Sequence, residues 1–187
     1  MKKIVIFNCP PRSGKDTVAE GLVKFGYKIE SFKGKLIEIA LLVSDIEKED
    51  WDARYVEQKD VPWDRLGGLS QREYLIKISE EWVKPVHGKQ YFGHALAKKI
   101  QKLPDDLNVV IPDGGFEEEV FPLVLAYPTN VLILQWGRKG CTFDNDSRRY
   151  IENWPHITKR IRDNDTSIKD QIDAVLEAIS TEFEKRS

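Results

Sequence analysis

Apolar residues in this chain fall into short continuous runs that alternate with longer stretches of helical spacing. Lys3 to Phe7 (KIVIF) is apolar and β-branched and ends in Asn8, Pro10 and Pro11, which predicts a strand buried on both faces in the middle of a sheet. Val18, Ala19, Leu22 and Val23 follow at helical spacing, and Gly26 marks the end of a helix over Lys15 to Phe25. Tyr27 to Phe32 predicts a second strand, and Leu36 to Val43 an apolar helix behind it. From Ser44 to Gly68 the chain turns polar and aromatic with no clean period, which predicts a mobile insertion over a site. Ser70 and Glu73 form a capping box, and Leu75, Ile76, Ile78, Trp82 and Val83 predict a helix running to about Lys84. A further helix is expected over Phe92 to Leu103, a buried strand over Leu107 to Ile111, a helix over Phe116 to Ala126 and a strand over Val131 to Trp136. Gly137 to Pro155 is again polar and reads as a second mobile segment. A strand over His156 to Ile161 and an amphipathic helix over Ile168 to Phe183 complete the pattern. Strands alternating with helices predict an α/β fold of three layers, a mainly parallel sheet covered on both faces.

The 187 residues fit one domain large enough to bury a core without disulfides or a structural metal. Charge then narrows the partners. Lys and Arg number 29 against 31 Asp and Glu, a net charge of −2, so no global basic field exists to hold a long nucleic acid. Cys9 and Cys141 are far apart, which argues against a disulfide framework and a zinc site and for a reducing cytoplasm. No apolar run approaches the length of a membrane span, so a soluble protein is expected, with a homodimer compatible with the sequence.

Candidate chemistry begins between the first strand and first helix. A triphosphate needs converging backbone N–H donors and a flexible cation, and a glycine-containing loop entering a helix supplies both. Pro10-Pro11-Arg12-Ser13-Gly14-Lys15-Asp16-Thr17 has that form: Gly14 permits close backbone approach, Lys15 reaches the outer phosphates, and Thr17 sits in the first helical turn. Cys9 replaces the first glycine of the usual phosphate loop, and Asp16 replaces its magnesium-binding hydroxyl. A carboxylate at Asp16 suits Mg²⁺, which favours hard oxygen ligands. The bland alternative is a tight turn with an exposed Lys and an Asp favoured by the helix dipole. Cys9 reads as a small residue packed under the loop.

Beyond the loop, the chain resembles the bacteriophage deoxynucleoside monophosphate kinases, relatives of adenylate kinase, over nearly its whole length. The resemblance is carried by SGKDT at 13–17, LSQREYLIKISEEWVKP at 69–85, GKQYFG at 88–93, IPDGGFEEEV at 111–120, DSRRYI at 146–151 and DNDTSI at 163–168. It implies a phosphate-loop nucleoside monophosphate kinase fold in one domain, with an acceptor-binding insertion over about 44–93 and a lid over about 137–155. It also implies transfer from ATP, with Mg²⁺, to a deoxynucleoside monophosphate, and small-molecule nucleotides as the partners; the alternatives are another small-molecule phosphate-loop kinase, such as one for dephospho-coenzyme A or a phosphorylated metabolite, and a nucleotide-binding protein whose altered loop no longer transfers phosphate.

Carried over by residue, the resemblance gives Arg12 to Thr17 and Asn164 to ATP, and Asp16, Thr17 and Asp113 to the metal. Lys15, Asp16, Arg138 and Arg148, with Arg149, would act on the transferring phosphate. Arg72 would hold the acceptor phosphate, since a guanidinium fork matches phosphate geometry. Lys84, Gly88, Lys89, Tyr91 and Phe92 would wall the acceptor, as would Gly114, Gly115 and Phe116. Asp113 would orient Mg²⁺ or water or contact the acceptor sugar; capping of the following helix is the alternative. Related kinases often carry an Arg where Gly115 stands, which leaves Arg54, Lys33 and Arg72 as candidate replacement cations. Thr166 stands where the family usually has a glycine after Asn164-Asp165.

Overall fold

A computed structural model describes residues 2–144 and 146–186. Five strands form one sheet: β1 (Ile4–Phe7), β2 (Tyr27–Ile29), β3 (Asn108–Ile111), β4 (Val131–Gln135) and β5 (Thr158–Arg160). Their spatial order is β2-β3-β1-β4-β5 and every pairing is parallel. Ile4 pairs with Val109 on one side and Val131 on the other, so β1 is central and fully buried, as its apolar run predicts.

Alternation along β1 divides the core. Val5 and Phe7 face α1 (Lys15–Leu22) and α8 (Ile168–Glu184), packing with Val18, Leu22, Val175 and Ile179. Ile4 and Ile6 face the other way, onto Leu96 and Ile100 of α6 (Tyr91–Gln101) and Val120 and Leu123 of α7 (Glu117–Ala126). The result is the expected three-layer α/β architecture. The chain leaves β1 toward β2 and later crosses to β4 on its other side, so the carboxyl end of β1 is a topological switch point where sheet ligands bind.

The stretch expected to be irregular holds a helix, which corrects the sequence reading. α2 (Lys33–Ser44) leads into α3 (Lys48–Gln58), a polar helix whose buried residue is Trp51. With α4 (Gln71–Lys77), it closes a third core of Ala40, Ile46, Leu66, Leu75, Ile78, Val83 and Phe92. The Ser70–Glu73 capping box forms as its sequence predicts. The helix behind it runs on through a π-helical turn (Ile78–Val83) into α5 (Lys84–His87).

Candidate functional site

The loop after β1 is shaped from below. Gly14 has φ +84°, and a Cβ there would stand 2.4 Å from Asn164 Nδ2, so glycine is required on both counts. Asn164 is buried and donates its amide to the Ser13 carbonyl at 2.8 Å, which also accepts Trp136 Nε1 at 3.2 Å. Asn164, placed by the resemblance at ATP, is thus committed to supporting the loop. The Lys15 ammonium folds back to 3.4 Å from the Pro10 carbonyl and 3.6 Å from Asp16, whose side chain is 68% exposed. Arg12 is exposed at φ +63° and Thr17 is exposed in the first turn of α1. Cys9 is fully buried, and desolvation pushes its thiol far up, which suits the packing role.

Asn8 joins this loop to the rest of the site, a role that no local pattern in the sequence signals. Its amide donates to the carbonyls of Gly114 at 3.2 Å and Arg149 at 2.9 Å. Its oxygen accepts from Ile151 N at 2.7 Å and Gln135 Nε2 at 2.8 Å. The side chain thereby binds the end of β1 to the loop after β3 and to the base of the 137–155 segment.

That loop carries Asp113, whose carboxylate accepts Ser31 Oγ at 2.6 Å and the backbone N–H groups of Phe32 and Lys33, both at 3.1 Å. Asp113 therefore caps the start of α2, and not the helix that follows it. A Cβ on Gly114 would stand 2.4 Å from Ile6 Cγ2, so glycine lets this loop lie on β1. At Gly115 a Cβ would meet Arg148 Cγ and Cδ at 2.6 Å. The missing side chain makes room for Arg148, so the cation that the sequence lacks at position 115 arrives from the other segment. Arg148 is bound to Asp146 at 2.7 Å, which raises its pKa most, with the charges of Asp113 and Asp16 adding.

A second cationic group gathers on Tyr55 of α3, and one member of it, Lys59, feels the charge of Asp16. Lys33 Nζ lies 5.5 Å from the Tyr55 ring centroid and Lys59 Nζ lies 5.9 Å from it, two ammonium groups on one ring. Arg72 N donates to the Lys59 carbonyl at 3.0 Å, and its guanidinium pairs with Asp60. Burial lowers the Lys59 pKa most, and the neighbouring charges of Arg72 and Lys33 lower it further, while Asp60 and Asp16 oppose. Lys59 and Tyr55 were missed in the sequence because Tyr55 sits in, and Lys59 directly after, the helix that its polar composition hides. Arg54 is tied to Gln58 at 2.6 Å and Pro62 at 2.9 Å and lies against Trp63, so it braces α3.

Other expected residues separate into two groups. Lys84, Lys89 and Phe116 line one cavity of about 380 Å³, together with Glu80 and Glu119. Phe92 is 2% exposed and belongs to the third core, with Tyr91 edge-on to it at 5.3 Å, so Phe92 is a packing residue and not a wall. Gly88, at φ +86°, makes an exposed turn before α6. Arg138 is exposed in a turn closed by Cys141 N donating to its carbonyl at 2.9 Å. Arg149 lines a second cleft of about 660 Å³ beside Pro10, with Phe143 and Tyr150.

No family profile matches this sequence, and no curated protein matches it. Two solved structures overlay along nearly the whole chain at low similarity. One is an APS kinase from Mycobacterium tuberculosis, 13% identical, covering 96% of this chain and 97% of that one with a TM-score of 0.49. The other is a gluconokinase from Sinorhizobium meliloti, 13% identical, covering 98% and 94% with a TM-score of 0.48. The fold assignment rests on the strand order and the loop after β1, independently of both.

Among the described residues no group of three or more His, Cys, Asp or Glu is arranged to hold a metal. A magnesium ion bound with a triphosphate needs fewer protein ligands, because phosphate oxygens and waters fill its shell. The exposed Asp16 carboxylate, next to the exposed Thr17 hydroxyl, fits that partial role. Asp113, held by three donors, is oriented to the start of α2. No helix among the described residues is long and apolar enough to cross a membrane.

Proposed function

We propose that this protein transfers the γ-phosphoryl group of ATP, with Mg²⁺, to a deoxynucleoside monophosphate. The observation that carries the reading is a set of cations brought in from separate segments: Lys33 and Lys59 on Tyr55, Arg72 beside Lys59, and Arg148 over Gly115, with Lys59 and Arg148 both feeling the charge of Asp16. One bound triphosphate is already served by the loop and Lys15, so further cations from three other segments point to a second phosphorylated ligand.

Phosphoryl transfer depends on positioning and on charge stabilisation, and the residues divide along those lines. The loop amides and Lys15 bind the donor phosphates. Arg72 and Lys59 hold the acceptor phosphate, and Arg148 lies where charge builds between the two. Asp16 and Thr17 would hold Mg²⁺, which when bound offsets the charge of the donor phosphates. The acceptor identity draws on the motifs shared with the phage kinases and on the cavity beside Phe116.

Purified protein with ATP and Mg²⁺ should release ADP with at least one deoxynucleoside monophosphate, and Lys15→Ala should lower that rate at least about a hundredfold. ADP release with dephospho-coenzyme A or a phosphorylated metabolite alone would assign the protein to another class of small-molecule kinase. Nucleotide binding without turnover in either protein would leave a binding role only.

A further inference from the structure

The cavity beside Phe116 lies between α5 and the start of α7 and is lined by three acids that the phosphate chemistry does not use, Glu80, Glu118 and Glu119, of which Glu119 is the buried one. Glu119 is 7% exposed, yet it lines this space. Gly93 holds α6 against it from behind, since a Cβ there would stand 2.2 Å from the Glu119 carbonyl. The π-helical turn brings Glu80 and Lys84 to the opposite side, a local widening that often accompanies binding sites. Lys84 Nζ bonds to Glu80 at 2.7 Å, sits 4.9 Å from the centroid of Phe116, and remains 3.7 Å from Glu119. The last contact is an ion pair too long to be a hydrogen bond, so a buried carboxyl with its hydrogen-bonding positions open lines the cavity beside an aromatic wall. At about 380 Å³ the space falls in the usual range for small-ligand pockets, about 300–1,000 Å³. Only the segment 113–116 separates Phe116 from Asp113, at most about 10 Å of extended chain.

We propose that Glu119 reads the hydrogen-bonding edge of the acceptor's base in this cavity, an inference that rests on the nucleotide-acceptor reading above. A neutral carboxyl donates one hydrogen bond and accepts another, which matches a ring nitrogen beside an amino group, as in cytosine and adenine. An ionised carboxylate accepts twice, which matches the adjacent ring N–H and amino group of guanine. Burial raises the Glu119 pKa to about 7, against the opposing charge of Lys84 and with Asp113, Glu80 and Glu118 adding. Lys89 and Glu118 also line the cavity, one charge of each sign. Both forms are therefore accessible near neutrality, and base preference turns with pH.

The test is equilibrium binding of dGMP and dCMP to the full chain by calorimetry at about pH 6 and about pH 8.5, on either side of the carboxyl's titration. The dGMP-to-dCMP affinity ratio should rise at least about tenfold between them. Glu119→Gln keeps one donor and one acceptor at every pH, so its ratio should stay flat and favour dCMP throughout. Glu177→Gln, on the exposed side of α8 across the sheet from the cavity, should behave as the unaltered protein does. A ratio that does not change with pH in the unaltered protein, or one that changes equally in Glu119→Gln, overturns the inference. So does failure of both nucleotides to bind. Binding with the expected ratios but no ADP formation would instead sink the phosphotransfer reading and leave base recognition standing.

Discussion

Lys59 is a cation held among cations, partly buried, with Arg72 and Lys33 adding to the unfavourable effect of desolvation. Such a charge is relieved by an anion, and Asp16 and Asp60 supply that relief only in part. An acceptor phosphate would supply the rest. Lys59→Ala should raise the acceptor KM roughly tenfold and leave ATP affinity unchanged, because a charge-assisted hydrogen bond to the acceptor is lost. Lys59→Arg should restore most of it. A steady-state comparison with saturating ATP reads this directly, and an unchanged KM removes Lys59 from the site. At this scale the sequence revealed what local spacing encodes. Gly14 and Lys15 announce themselves because a strand, a glycine-containing loop and a helix lie in register. Asn8 and Glu119 do not, since what matters about them is assembled across the chain. The Asn8 bond to Arg149 spans 141 residues, and the cavity at Glu119 needs the π-helical turn of another segment.

The end of β1 is the element through which the two halves of the site communicate. All four hydrogen-bonding positions of the buried Asn8 amide are filled by Gly114, Arg149, Ile151 and Gln135. Asn8→Ala leaves two carbonyls and two N–H groups without these partners, three of the bonds being fully or nearly buried. A loss of about 3 kcal/mol is expected, the upper part of the range for breaking a buried polar network. Urea unfolding followed by circular dichroism measures it, and a change below about 1 kcal/mol would mean that water replaces the side chain. Among elements, strands and capped helices were legible where burial imposes a period: KIVIF for β1, and the Ser70–Glu73 box for α4. α3 was not, because Trp51 is the residue it buries and its other faces carry charge. The 137–155 segment was recognised as polar, but its anchoring was hidden. Ile151 is 1% exposed, and its N–H is bound to Asn8.

Across the whole molecule the buried apolar residues form three cores, two on the faces of the sheet and one under α2, α3 and α4. Glu119 sits where the second and third adjoin, with Val120 in one and Phe92, beside Gly93, in the other. Its titration therefore bears on the stability of the fold as well as on ligand choice. Burial raises its folded-state pKa from 4.5 to about 7, so the folded chain keeps a proton that the unfolded chain has released. The stabilising contribution of that proton is complete below pH 4.5 and is lost as pH rises through about 7. Between these limits ionisation of Glu119 should weaken the fold by about 1–3 kcal/mol as pH increases. Carboxylates such as Asp146, held low first by its bond to Arg148, act in the opposite direction but at lower pH, and leave this window to Glu119. Glu119→Gln removes the titration while keeping the size of the side chain. Denaturant midpoints measured from about pH 5 to about pH 8 should fall with pH in the unaltered protein and fall less in the variant, the difference between the two curves being the contribution of Glu119. Parallel curves would show that the carboxyl is as well solvated folded as unfolded, and would take away the burial on which base reading by Glu119 depends.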